Sequence, residues 1–214
     1  MLWFQMNRDI VEGINARVAP DDDLYILGDY SFKMTAEAAA ELRDRINCRN
    51  VHLIPGNHDK DWTQPVVAGT FIVEPPILKL NIHGQKLILS HFPLMDWPSM
   101  AHGSWHLHGH VHSSGTVYNE LNRRQGLMRY DVGVDANGYT PVSLDEIRAW
   151  FAGVEYCGRA RWWDWVNGTC DPQVACACNL VREVMCEPAG GYQTAQESAE
   201  AARVRAAKLR EMEI

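Results

Sequence analysis

The sequence predicts an α/β fold on three observations. Residues 7–54 alternate helix-patterned and strand-patterned segments, and residues 71–134 carry short β-rich runs separated by turn residues. Side chains able to bind a metal stand just after four of the predicted strands, where open α/β sheets gather their ligands.

The elements follow in order. NRDIVEGINARV (7–18) places Ile10, Val11, Ile14 and Val18 at helical spacing, with Asn7 or Asp9 as the cap, and Pro20 to Asp23 end it. LYIL (24–27) is a continuous apolar run, the pattern of a buried strand. Thr35 caps a second helix, AEAAAELRDRI (36–46), and VHLI (51–54) is a second buried strand broken by Pro55-Gly56. FIVE (71–74), ILKLNI (77–82) and KLILS (86–90) read as further strands, the last two joined by a hairpin at His83-Gly84. WHLHG (105–109) and LMRYDVGV (127–134) add strands, so this half leans antiparallel. PVSLDEIRAWF (141–151) opens a helix with Ser143 and Glu146 at capping-box spacing.

Beyond residue 152 the character changes. Trp162, Trp163 and Trp165 cluster, five of the six cysteines follow Trp150, and a charged, alanine-rich helix is predicted at the C-terminus. The expected organisation is a main domain over 1–152 and an extension over 153–214, packed on that domain or on a partner chain. The cysteine spacing does not match a common zinc pattern, so free thiols come first, then a zinc site, then disulfides. Cys48 reads as a helix-end core residue.

The 214 residues are 46% hydrophobic and 22% charged, enough to build a core, and the formal net charge is −7. That balance argues against a general nucleic-acid binder. No apolar run spans a bilayer, and the N-terminus shows no secretion leader, so the cytoplasm is the expected compartment.

Four motifs carry the chemistry. Gly28-Asp29 follows LYIL, Gly56-Asn57-His58-Asp59 follows VHLI, His91 follows KLILS, and Gly109-His110-Val111-His112 follows WHLH. Imidazole, carboxylate and amide oxygen together suit transition metals better than calcium or magnesium alone. His106 and His108 read as strand residues that pack or orient ligands, and His52, His83 and His102 as structural or surface histidines.

From about residue 7 to 150 these ordered motifs resemble the calcineurin-like metallophosphoesterases, in particular a bacterial and phage branch. The resemblance implies a sandwich of two β-sheets flanked by helices, with metals at the strand ends. It implies that Asp29 bridges two ions, that Asn57, His91 and His110 complete one site, and that His112 belongs to the other. His58 would protonate the leaving oxygen, with Asp59 orienting it. Manganese, iron, zinc or nickel would serve, two in a complete site and one in this chain. The substrate would be a phosphate mono- or diester, a nucleotide or small phosphodiester among them.

The family's first block, Asp-x-His on a first strand, has no counterpart in MLWFQM. The expectation is an N-terminally truncated domain or a natural lack of that strand, with a homodimer across the exposed sheet edge as one outcome. Three readings follow: an active two-metal enzyme when complete, a metal-poor binding or scaffold module, or a one-metal enzyme. A variant of the last is an enzyme with replacement ligands recruited from elsewhere, such as Asp96 or tail cysteines.

Overall fold

The structure is a computed structural model and describes residues 3–113 and 115–154. The Trp and Cys segment and the C-terminal helix predicted beyond residue 154 lie outside the described residues. Among the described residues, four α-helices and two β-sheets make a mixed α/β arrangement. No helix among the described residues is long and apolar enough to cross a membrane.

The first sheet is parallel, in the order β1 (Asp23–Ile26), β2 (Asn50–Leu53), β3 (Ile72–Val73). FIVE is cut to two residues because Ile72 and Val73 are exposed and Pro75-Pro76 cannot donate to a ladder. Helix α1 (Trp3–Arg17) begins four residues before the predicted start and turns Val11 and Ile14 onto Leu24 and Val51. Helix α2 (Ala36–Arg43) is capped by Thr35, whose Oγ1 accepts from the Ala38 N–H at 3.2 Å. It stops three residues short of the predicted end. There the Arg43 guanidinium donates to the carbonyls of Ile46, Cys48 and Arg49, drawing the chain out of the helix. Cys48 is buried in this core, as predicted.

The second sheet runs β4 (Ile77–Ile82), β5 (Gln85–Ser90), β6 (Trp105–His108), β7 (Arg129–Asp131). Only the β4–β5 hairpin is antiparallel, whereas β5, β6 and β7 are parallel. This corrects the antiparallel expectation: the connections after β5 and β6 are long crossovers, which return the chain in the same direction. The hairpin turns through His83 at φ 50° and Gly84 at φ 84°, the positive pair that a type I′ turn requires. One face of the sheet is apolar. Leu87, Leu89, Trp105, Leu107 and Tyr130 join Leu27 and Ile54, the residues that directly follow β1 and β2. Helix α4 (Leu144–Phe151) buries Ile147 and Phe151 in the same cluster. Its capping box is formed: Ser143 Oγ accepts from the Glu146 N–H, and Glu146 Oε2 accepts from the Ser143 N–H at 2.8 Å. That N–H and the Arg17 guanidinium pull the Glu146 carboxyl down to about 2.

The other face is polar and also buried. Helix α3 (Val117–Arg124) covers it, and no apolar period announces this helix in the sequence because asparagines face inward. Asn119 Oδ1 accepts from the Asp131 N–H at 2.7 Å and its amide donates to the Asp131 carbonyl at 3.0 Å. The side chain thus serves β7 as a neighbouring strand would, satisfying backbone groups that burial would otherwise orphan. Asn122 Oδ1 accepts from Arg129 on the same strand.

Candidate metal centre

The loops that follow β1, β2, β5 and β6 meet at one place. His91 is the hub. It is 2% exposed, and its Nδ1–H donates to the Leu27 carbonyl at 2.8 Å. That bond leaves Nε2 as a lone pair. Asn57 Oδ1 lies 2.9 Å from it, His110 Nδ1 3.1 Å and Asp29 Oδ2 3.4 Å. The amide oxygen and the carboxylate are electron-rich like the nitrogen they face. Such a group is compact without repulsion only when a proton or a cation shares the space. Asp29, His91 and His110 each offer a ligand atom within 4.8 Å of the others, a set that could hold a metal ion.

The local sequence explains the convergence. Gly28 takes φ 89°, and a Cβ there would stand 2.3 Å from His91 Nδ1. A Cβ on Gly56 would stand 2.3 Å from Asp29 Oδ1. Both glycines are needed for close approach rather than for the turn alone. Asp29, His110 and His112 themselves sit at φ 55°, 71° and 47°, a region L-residues avoid.

Asp59 takes a different part from the one predicted. Its carboxylate accepts from the N–H groups of Asp29 and Gly56, both at 2.8 Å, and of Ser31 at 3.4 Å. It therefore ties the β1 and β2 loops together, and it sets the Asp29 backbone rather than the His58 ring. His58 is exposed; its N–H donates to Asp29 Oδ1 at 2.9 Å, and its ring meets Phe32 edge-on at 4.9 Å.

His112 stands outside the three-ligand cluster. Its side chain is 72% exposed, and Nδ1 pairs with Asp135 Oδ2 at 2.9 Å. Asp135 had no role in the sequence reading; the fold brings it to His112. Asp29, His91, His110, His112 and Asp135 all line a cleft of about 690 Å³, which continues along apolar side chains of α1, β1 and β5.

His106 and His108 point away from this cleft into the polar face of the second sheet. His106 Nδ1–H donates to the Ile88 carbonyl at 3.0 Å, and Nε2 accepts from the Leu94 N–H at 2.9 Å. Burial pushes both imidazoles down to about 4, so they are neutral at pH 7. Among the other histidines, His52 pairs with Glu74 at 2.7 Å and stacks on Tyr25.

No family model and no curated protein matches the chain. Among solved structures it is similar to the protein of unknown function AQ665 from Aquifex aeolicus. The two are 21% identical with a TM-score of 0.55, over 69% of this chain and 86% of that one. The likeness is one of fold.

Proposed function

We propose that the chain is a metal-dependent phosphoesterase of the calcineurin-like type, which hydrolyses phosphate mono- or diesters with an activated water. The observation that carries this reading is the His91 Nε2 lone pair faced by Asn57, His110 and Asp29 at 2.9 to 3.4 Å. The two sheets and four helices are compatible with that family's sandwich. Asp29, Asn57, His91 and His110 would hold a manganese, iron, zinc or nickel ion. Bound there, the ion would neutralise charge on the phosphoryl group and acidify the attacking water.

The chain's own groups account for the rest. The Leu27 carbonyl fixes the His91 tautomer, so the lone pair stays aimed at the centre. Asp59 holds the Asp29 and Gly56 loops in register. His58, exposed and tethered to Asp29 through its backbone, would give a proton to the departing ester oxygen. With Nδ1 taken by Asp135, His112 would offer Nε2 to a second ion.

The test is hydrolysis of bis(p-nitrophenyl) phosphate by the metal-stripped chain with and without manganese. Weak, manganese-stimulated turnover is expected, and His110→Ala abolishes it. Turnover unchanged in that variant removes the mechanism. A second reading, a metal-poor binding module, is favoured by one observation. Only one cluster of three metal-capable side chains forms among the described residues, and His112 is not in it. At most about one tightly held ion per chain is therefore expected, and no bound ion with no turnover selects the module.

A further inference from the structure

Two phenyl rings stand half-exposed beside the candidate centre on backbone that is itself buried and tied. Phe92 is 48% exposed although its neighbour His91 is 2% exposed; Phe32 is 43% exposed although its neighbour Ser31 is 1% exposed. Ser90 Oγ–H donates to the Phe92 carbonyl at 2.7 Å, and the Ser31 N–H donates to Asp59 Oδ1 at 3.4 Å. The rings are thus presented by fixed main chain. A large apolar side chain held in water at a strand end, and not folded into the adjacent core, marks a contact surface.

Their neighbours locate that surface. The Phe92 ring centre is 4.5 Å from that of His110 and 4.8 Å from that of His91. The Phe32 ring centre is 4.9 Å from that of His58. One phenyl therefore adjoins two residues of the metal cluster, and the other adjoins the candidate proton donor. The Phe92 contacts lie at 59° and 75°, so neither uses parallel stacking, the geometry a nucleobase or aryl ring adopts. The Lys33 ammonium lies 4.9 Å from the Phe32 ring centre and brings a cation to a protein whose net charge is −7. An anionic group flanked by a planar substituent matches this combination.

We propose that Phe92, with Phe32, forms a stacking subsite for a planar aromatic group carried by the phosphate ester. The ester that fits this centre then carries an aryl group or a nucleobase, in contrast to a simple alkyl or sugar phosphate. This inference rests on the phosphoesterase reading above. Phe92 and Phe32 act in binding and take no part in bond breaking.

Binding of inert ligands separates the two claims. The full chain, with manganese present, is titrated with phenylphosphonate and with methylphosphonate, which share the phosphonate and differ in the ring. A second arm compares thymidine 5′-monophosphate with ribose 5-phosphate, and so distinguishes a nucleobase from a simple aryl group. Phenylphosphonate is expected to bind about tenfold more tightly than methylphosphonate, within the range of aromatic stacking on a protein ring. Phe92→Ala and Phe92→Leu should bring that ratio close to one, while Phe92→Trp retains it. Phe32→Ala lowers it in part. Circular dichroism of each variant establishes that it is folded, and Leu separates loss of stacking from loss of apolar bulk. Equal affinity for the two phosphonates in the wild-type chain overturns the stacking subsite and leaves the phosphoesterase reading standing. Failure of both to bind overturns both.

Discussion

Lowering the pH from 7 to 5 perturbs a group that the fold holds in one protonation state. His106 is fully buried on the polar face of the second sheet, with both ring nitrogens committed to backbone partners. Protonation would put a hydrogen on Nε2, which now accepts from the Leu94 N–H, and would bury a charge near His108 and Arg129. Burial is the main cause that brings its pKa from 6.5 down to about 4. The folded value lies below the unfolded one, so the unfolded chain binds more protons between them. The stabilisation is complete above about pH 6.5 and is lost as pH falls toward 4. A drop of about 2.5 corresponds to roughly 3 kcal/mol when both states are protonated, and to about 2 kcal/mol between pH 7 and 5. At an urea m-value of about 2 kcal/mol/M, the midpoint should fall by about 1 M from this residue alone. The assay is urea unfolding of the wild type and His106→Gln at pH 7 and pH 5, followed by tryptophan fluorescence. The glutamine offers its amide oxygen to Leu94 and does not titrate. The variant should be weaker than the wild type at pH 7 and lose about 1 M less of its midpoint on acidification. Equal midpoint losses in both proteins would refute the argument, because every other titrating group is common to the pair.

Three further outcomes are expected. Gly28→Ala, which forces a Cβ to 2.3 Å from His91 Nδ1 at a φ of 89°, should weaken manganese binding at least tenfold by isothermal titration and destabilise the fold. Asp59→Ala frees the N–H groups of Asp29 and Gly56; unfolding free energy should drop by about 2–3 kcal/mol, read by urea titration, with loss of metal affinity in the same variant. Ser143→Ala removes the hydroxyl that accepts from the Glu146 N–H, and thermal unfolding should show a loss of about 1 kcal/mol with metal affinity unchanged.

Much of the framework was legible because its signals are local. Thr35 and the Ser143–Glu146 pair cap helices where their chemistry dictates, and His83-Gly84 turns the hairpin. The motifs Gly28-Asp29, Gly56-Asn57 and His91 stand at strand ends that the fold draws together. What escaped was non-local. Helix α3 buries asparagines where a pattern search looks for leucines, because its partner is the open backbone of β7. The direction of β6 depends on crossovers, which leave no mark in the strand itself. Asp59 was given to its sequence neighbour His58, whereas its carboxylate accepts from the Gly56 N–H in its own loop and from the Asp29 and Ser31 N–H groups of a loop about thirty residues earlier. Asp135 meets His112 only once β7 is in place.

Asp29, His110 and His112 adopt backbone angles at which a glycine would rest more comfortably. A directed-evolution campaign scored on heat tolerance alone would therefore favour glycine at 110 and 112, gaining robustness at the expense of the two imidazoles that the proposed chemistry would use.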